Sequence, residues 1–173
     1  ILNSRDMCMI DHIPELMAAG LDSLKIEGRA KSAYYAAIVT GAYRHAVDAA
    51  LAEEELDPVW RMELDKVSHR PYSTGFYFGE PGQHTGDSRY VRDWQVAAVV
   101  TSCDPAGRAL CALRNKFSAG DELELVGPGL APVPFRAEEL SDADGQPLEQ
   151  VRRPQMPFTI RLPRQAPPLS LLR

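Results

Sequence analysis

Lys25, Glu27, Arg29 and Lys31 occupy alternate positions in the run Ser23-Leu24-Lys25-Ile26-Glu27-Gly28-Arg29-Ala30-Lys31-Ser32. One carboxylate among three cations suits the binding of an anion. Lys25 and Arg29 can hold an anionic substrate or a phosphate, and Glu27 can orient them or accept a proton. The alternative is an ion-pair network in which Glu27 bonds Arg29 or Lys31. His69 beside Arg70 is the one histidine set in a motif, read either as a catalytic group or as a hydrogen-bonded anchor for the aromatic segment that follows. The four histidines form no His-Glu-x-x-His pattern and no Gly-x-Ser-x-Gly elbow is present, so local motifs give a peptidase little support. The thiol of Cys8 is read first as a small buried hydrophobe and only secondarily as a metal ligand. Cys103 and Cys111 lack metal-ligand spacing and are expected to be packing residues. In Asp142-Ala143-Asp144-Gly145 the twelfth position of a calcium loop would be Arg153, so this is a turn.

The elements that would position the charged run alternate strand and helix. Ile1-Leu2 reads as the end of a strand. A helix is expected from about Pro14 to Ala19, with Asp11 as N-cap and Gly20 just past its end. A strand over Ser23–Glu27 follows, its side chains alternating faces so that Leu24 and Ile26 oppose Lys25 and Glu27. A long alanine-rich helix then runs from Ser32 to about Glu54. The four charges thereby crowd the carboxyl end of a strand and the entry of a helix, where α/β architectures bind ligands. Tyr34 and Tyr35 must point to different sides of that helix, one into the core and one over the site. Asn3 and Ser4 can line the same mouth or cap a helix.

Asp57-Pro58 starts a short helix with Trp60, Leu64 and Val67 on its apolar face. Phe76, Tyr77 and Phe78 can stack bases or dock a linker onto a core, docking being the expected role, and residues 80–89 are expected to be that linker. From Trp94 the texture becomes short strands at 94–103, 108–114, 121–126, 132–137, 147–153 and 157–162, with hairpin turns at Asp104–Gly107 and Asp142–Gly145. This spacing suggests a small closed β-barrel.

The 173 residues carry a net charge of −5 that divides unevenly. Residues 1–87 hold 8 basic against 14 acidic side chains, whereas residues 88–173 hold 11 against 10, ten of the bases being arginine. Arginine suits bidentate phosphate contact. Arg114 and Lys116, with Arg152 and Arg153 and then Arg161 and Arg164, are therefore candidates for an RNA-facing patch, against a reading as solvated surface charge. No run approaches the roughly 18 apolar residues of a membrane span. Three scattered cysteines suit a reducing cytoplasm. The chain opens at Ile1 and reads as a piece of a longer protein.

Asn3-Ser4-Arg5-Asp6-Met7-Cys8, Leu24-Lys25-Ile26-Glu27-Gly28-Arg29 with Lys31-Ser32-Ala33-Tyr34-Tyr35, and Ser68-His69-Arg70 with Thr74-Gly75-Phe76-Tyr77-Phe78-Gly79 resemble the collagenase-like peptidase family U-32. Asn115-Lys116-Phe117-Ser118 with Gly120-Asp121-Glu122 resembles its C-terminal domain. The resemblance implies an α+β chain. Residues 1–55 would be the terminal βα units of a (β/α) barrel, 56–89 a helix, aromatic segment and linker, and 90–173 a β-barrel resembling the second domain of translation elongation factors. It also implies that the parent protein either modifies RNA, as relatives that hydroxylate the tRNA wobble uridine do, or cleaves protein as the family name says. In the first case Lys25, Glu27 and Arg29 are the catalytic candidates, and Asn3, Lys31, Tyr34, Tyr35, His69 and Arg70 the substrate-binding ones. An iron–sulfur cluster found in some members is implied for the parent, on cysteines upstream, with no cofactor on this chain. Expected partners are tRNA or a protein substrate, the upstream barrel, and a second copy pairing through exposed N-terminal strands. The isolated piece is expected to be inactive.

Overall fold

The computed structural model describes residues 4–85 and 89–173, and Asn3 therefore lies outside the described residues. Two compact units divide between Asp93 and Trp94.

In the first unit, β1 (Asp6–Met7) pairs in parallel with β2 (Tyr72–Ser73), setting Asp6 against Tyr72. A 3-10 turn at Ile10–His12 leads into α1 (Ile13–Ala18), with Pro14 in its first turn. Because that turn intervenes, the N-cap is His12 and not Asp11, whose carboxylate accepts a hydrogen bond from Arg61 Nε at 3.3 Å. Gly20, at φ +81°, takes the chain away from the helix. α2 (Ala33–Leu51) begins as expected at Ser32, whose hydroxyl accepts from the Tyr35 N–H, and buries Ile38, Val39, Ala42 and Ala46 along one stripe. α3 (Pro58–Glu63) is capped by Asp57, which accepts from the Val59 N–H at 2.9 Å. Leu64 and Val67 are buried beyond it, and Trp60 stacks on His45 of α2.

Residues 23–27 are not a strand. Their alternation suits one, but a strand exists only as part of a ladder, and no described segment pairs with them. The segment has no regular secondary structure, and Leu24 is exposed. Nor does the aromatic run dock: Phe76 is 82% exposed and Tyr77 60%, while Phe78, also largely exposed, lies against the His12 ring. Tight turns through Gly75 (φ +61°) and Gly79 (φ +129°) hold the three rings out on the surface.

The second unit is a curled, half-barrel sheet. It contains β3 (Ala98–Cys103), β4 (Arg108–Leu113), β6 (Glu122–Gly127), β7 (Leu130–Arg136), β8 (Glu138–Ser141), β10 (Pro157–Arg161) and β11 (Leu171–Leu172). The order is β7-β6-β11-β3-β4-β10-β8, antiparallel throughout. β5 (Phe117–Ser118) and β9 (Gln150–Val151) form a separate pair. Val100, Leu113, Leu125, Phe158, Ile160 and Leu172 fill the core, with Phe117 edge-on to Phe158. The sheet is barrel-like, as expected, and curls into a half-barrel. Its edge strands β7 and β8 are joined end to end through the buried Ala137. The Ala137 N–H donates to Asp121 O, and its carbonyl accepts from the Gly120 N–H, so loop bonds take the place of a closing ladder. The expected strand at 147–153 shrinks to two residues, while β8 and β11 form where no strand was expected. Both anticipated turns form, Asp104 and Asp142 each accepting backbone N–H bonds from the residues that follow.

Candidate functional site

The first unit is organised around Asp6. The β1–β2 pairing brings Arg70, two residues ahead of β2, alongside the Asp6 carboxylate. Arg70 donates to Oδ1 from Nε at 2.9 Å and Nη2 at 2.8 Å, and its backbone N–H donates to Oδ2 at 3.1 Å. Lys31 Nζ reaches Oδ2 at 3.5 Å and donates to Ser68 O at 2.8 Å. The ammonium also lies 4.0 Å from the Tyr90 ring centroid and 5.2 Å from that of Tyr35. Burial pushes the Asp6 carboxyl up, but the hydrogen bonds from Arg70 and the charges of Lys31 and Arg70 outweigh it and hold it below the usual carboxylate range.

Beside this network opens a cleft of about 510 Å³. Arg5, Asp6, Lys25, Glu27, Tyr35 and Tyr43 are among its walls. Tyr43 accepts a hydrogen bond from the Met9 N–H at 2.8 Å, with its hydroxyl directed to Cys8 Sγ at 3.8 Å. Burial, reinforced by Cys8, pushes the Tyr43 phenol far up, and burial with the Asp6 charge raises Tyr35. Both phenols are hydrogen-bonding groups at neutral pH, not bases.

The sequence candidates separate. Lys25 and Glu27 line the cleft at its exposed rim, whereas Arg29 is not among its walls. Glu27 Oε1 accepts from the Arg29 backbone N–H at 2.9 Å, so the pair makes a loop contact in place of an ion pair. Lys31 and Arg70 are committed to Asp6. Tyr35 faces the cleft, while the Tyr34 hydroxyl donates to Lys66 O at 3.3 Å. His69 is buried, stacked on Tyr72, and donates from Nδ1 to Arg70 O at 2.8 Å. Asp6, Arg5, Tyr43 and Tyr90 carry the site without having been singled out. Asp6 offered a signal, since it sits inside the Asn3–Cys8 motif with Arg70 conspicuous in the other.

Cys8 is half-buried, and among the described residues no three His, Cys, Asp or Glu side chains gather as metal ligands. Cys111 is buried in the second unit's core, and burial pushes its thiol up to about 12.

In the second unit the structure brings Arg114, Lys116, Arg152 and Arg153 onto two adjacent segments, all four exposed. Arg161 and Arg164 lie elsewhere. Arg161 pairs across the sheet with Arg108, and Arg164 lies near the Gly107 turn at the far end of β4 and β10.

Residues 1–87 match Peptidase family U32, and residues 92–173 match the Peptidase family U32 C-terminal domain. The chain is 32% identical over 179 residues to the tRNA hydroxylation protein P1 of Bacillus subtilis, a match covering 99% of this chain and 42% of that protein. It is 35% identical over 156 residues to the tRNA hydroxylation protein P of Escherichia coli, covering 86% of this chain and 33% of the relative. A collagenase of Porphyromonas gingivalis is 28% identical over 148 residues, covering 81% and 41%. Among solved structures, the C-terminal domain of a U32-family protein of Geobacillus thermoleovorans covers 46% of this chain and 99% of its own, at 31% identity and a TM-score of 0.45. The chain thus spans less than half the length of these relatives. With both family regions present in order along it, the chain belongs to peptidase family U32.

Proposed function

We propose that the full-length protein modifies RNA, by hydroxylation of a tRNA uridine, and that the cleft beside Asp6 holds the anionic or nucleoside part of its substrate. The observation that carries this reading is the likeness to tRNA hydroxylation proteins at 32% and 35% identity across 99% and 86% of the chain. Residues 4 to about 55 would complete a (β/α) barrel whose other strands belong to the longer protein. One of those strands would supply the ladder that residues 23–27 lack, and the second unit would be the translation-factor-like recognition module. The protein would work where tRNA is, in the cytoplasm.

The cleft's chemistry is compatible with that role. Asp6 pairs with both Lys31 and Arg70 and leaves that trio one positive charge in excess, while Arg5 and Lys25, also on the walls, are in no ion pair among the described residues. These would bind the anion, Glu27 at the rim would orient it or accept a proton, and Tyr35 would contribute a hydroxyl.

Peptidase activity is the second reading, favoured by the likeness to the Porphyromonas collagenase. It finds no nucleophile–base pair at His69, His45 or Cys8. His69 is bonded to a backbone carbonyl, His45 is stacked on Trp60, and Cys8 contacts Tyr43.

The test expresses the full-length protein in a bacterium lacking its own tRNA hydroxylation protein, followed by mass spectrometry of nucleosides from total tRNA. Restored 5-hydroxyuridine, lost in Lys25→Ala and Glu27→Gln variants that still accumulate as folded protein, is the expected result. Unmodified tRNA together with cleavage of gelatin by the purified protein would replace this reading with the peptidase one.

A further inference from the structure

The second unit contains a ribbon whose cations have no ion-pair partner among the described residues. β5 and β9 register Phe117 against Val151 and Ser118 against Gln150, so the next step along the ribbon sets Lys116 against Arg152. Beyond it the Gln155 N–H donates to Leu113 O at 3.0 Å and the Leu113 N–H to Met156 O at 3.1 Å. Residues 113–118 and 150–156 therefore run side by side. Leu113, Phe117 and Val151 point into the core, and Arg114, Lys116, Arg152 and Arg153 stand out into solvent. These two segments contain four basic residues and no acidic one.

Three of the five arginines elsewhere in the unit show what a structural role looks like, whereas Arg161 and Arg164 have no ion pair among the described residues. Arg108 reaches Glu139, Ser141 and Thr159; Arg136 pairs with Glu122; Arg173 pairs with Glu124 at 2.7 Å. None of the four ribbon cations has an ion pair or a side-chain hydrogen bond among the described residues. Their backbone is nonetheless fixed. The Arg114 and Asn115 N–H groups both donate to Ala97 O, Asn115 Nδ2 donates to Val96 O at 2.7 Å, and the Met156 N–H closes a turn onto Arg153 O. Strand geometry packs the four attachment points into a patch of roughly 10 by 5 Å. Like charges so close repel one another, and an external polyanion relieves that repulsion.

We propose that this ribbon grips the phosphate backbone of RNA without reading its sequence. The proposal rests on the reading that the protein acts on RNA, and names the surface that would hold it. Three of the four cations are arginines, whose planar fork matches phosphate oxygens in pairs. The acidic side chains begin only past the ribbon's end, at Glu149 and Asp121, which leaves one face for the ligand.

The experiment measures binding of total tRNA to the 173-residue chain by fluorescence anisotropy between 50 and 200 mM salt. The wild type is compared with a variant carrying Arg114→Gln, Lys116→Gln, Arg152→Gln and Arg153→Gln, and with an Arg161→Gln/Arg164→Gln control. Circular dichroism verifies that each is folded. Four phosphate contacts at about 0.7 each in the slope of log K against log salt give a slope change of about 3, and about a 50-fold share of the weakening over that salt range. The quadruple variant is expected to lose that share and the control to keep it. Equal slopes for wild type and quadruple variant would overturn the ribbon while leaving the RNA reading in place. No tRNA binding by the wild type at 50 mM salt would overturn both. Competition by polyglutamate as effective as that by tRNA would reassign the ribbon to an acidic protein partner.

Discussion

Replacing Asp6 with asparagine tests whether the first unit is held together at its charged hub. The carboxylate accepts three hydrogen bonds from Arg70, at 2.8, 2.9 and 3.1 Å, and meets Lys31 at 3.5 Å. The side chains of Asp6, Lys31 and Arg70 retain only 18%, 16% and 23% of their exposure, so water screens the group incompletely. Asp6→Asn keeps an acceptor oxygen but leaves two half-buried cations facing a neutral amide. Breaking a fully buried pair costs about 3–5 kcal/mol, and a single hydrogen bond to a charged group is worth about 1.5–3 kcal/mol. Partial exposure and the surviving acceptor place this case at about 2–3 kcal/mol at neutral pH. Urea titration followed at 222 nm measures it, because α1, α2 and α3 all lie in the first unit. The pH dependence carries a sign. The folded carboxyl titrates lower than the unfolded one, so its stabilisation is complete above about pH 4 and is lost as pH falls through the folded value. Wild type and variant should differ at pH 7 and converge as pH falls through the folded carboxyl's lowered value. A difference below about 0.5 kcal/mol at pH 7, or one unchanged in acid, would refute the hub.

Three further outcomes are expected. Gly107→Ala should destabilise the second unit by about 1–3 kcal/mol in Trp94 fluorescence melts, since φ is +86° and a Cβ would lie 2.8 Å from Leu162 O. Cys111 should resist iodoacetamide at pH 8 until the unit unfolds, because burial holds its thiol up at about 12; peptide mapping after labelling shows whether it does. Asp57→Ala should remove the cap on Val59 and cost about 1 kcal/mol of first-unit stability, read by the same urea titration.

Local chemistry was the legible part of this sequence. Ser32 and Asp57 cap the helices they precede, and the two Asp-to-Gly turns form where the strands need them, because each of these features is settled within five residues. Long-range pairing was not legible. The parallel contact of Asp6 with Tyr72 spans more than sixty residues, and neither two-residue strand has a pattern of its own. The same limit hid β11, and made 23–27 look like a strand when alternation alone cannot supply a partner. It also hid which way the β-unit's ends would meet, since Ala137 says nothing of a corner until the loop at Gly120–Asp121 is seen bonded to it.

The charged run from Lys25 to Lys31 looked like one site because its residues are adjacent, and the fold divides it by counterion. Lys31, on the cleft wall with Lys25 and Glu27, is paired with Asp6 and lies over the Tyr90 ring, and Arg29 is left outside the cleft. The same division separates the arginines of the second unit. Those with a carboxylate partner lie along the sheet, whereas the ribbon's Arg114, Arg152 and Arg153, with Lys116, have none among the described residues, and neither do Arg161 and Arg164. Pairing is thus the property that distinguishes a structural cation from an available one in both units. It depends on which strands meet, so spacing along the chain cannot reveal it. Exchanging Lys31 for methionine should therefore act mainly on stability, with little effect on ligand affinity, and exchanging Lys25 for methionine the reverse. A loss of affinity from Lys31→Met at unchanged first-unit stability would show that the hub cation also contacts the ligand.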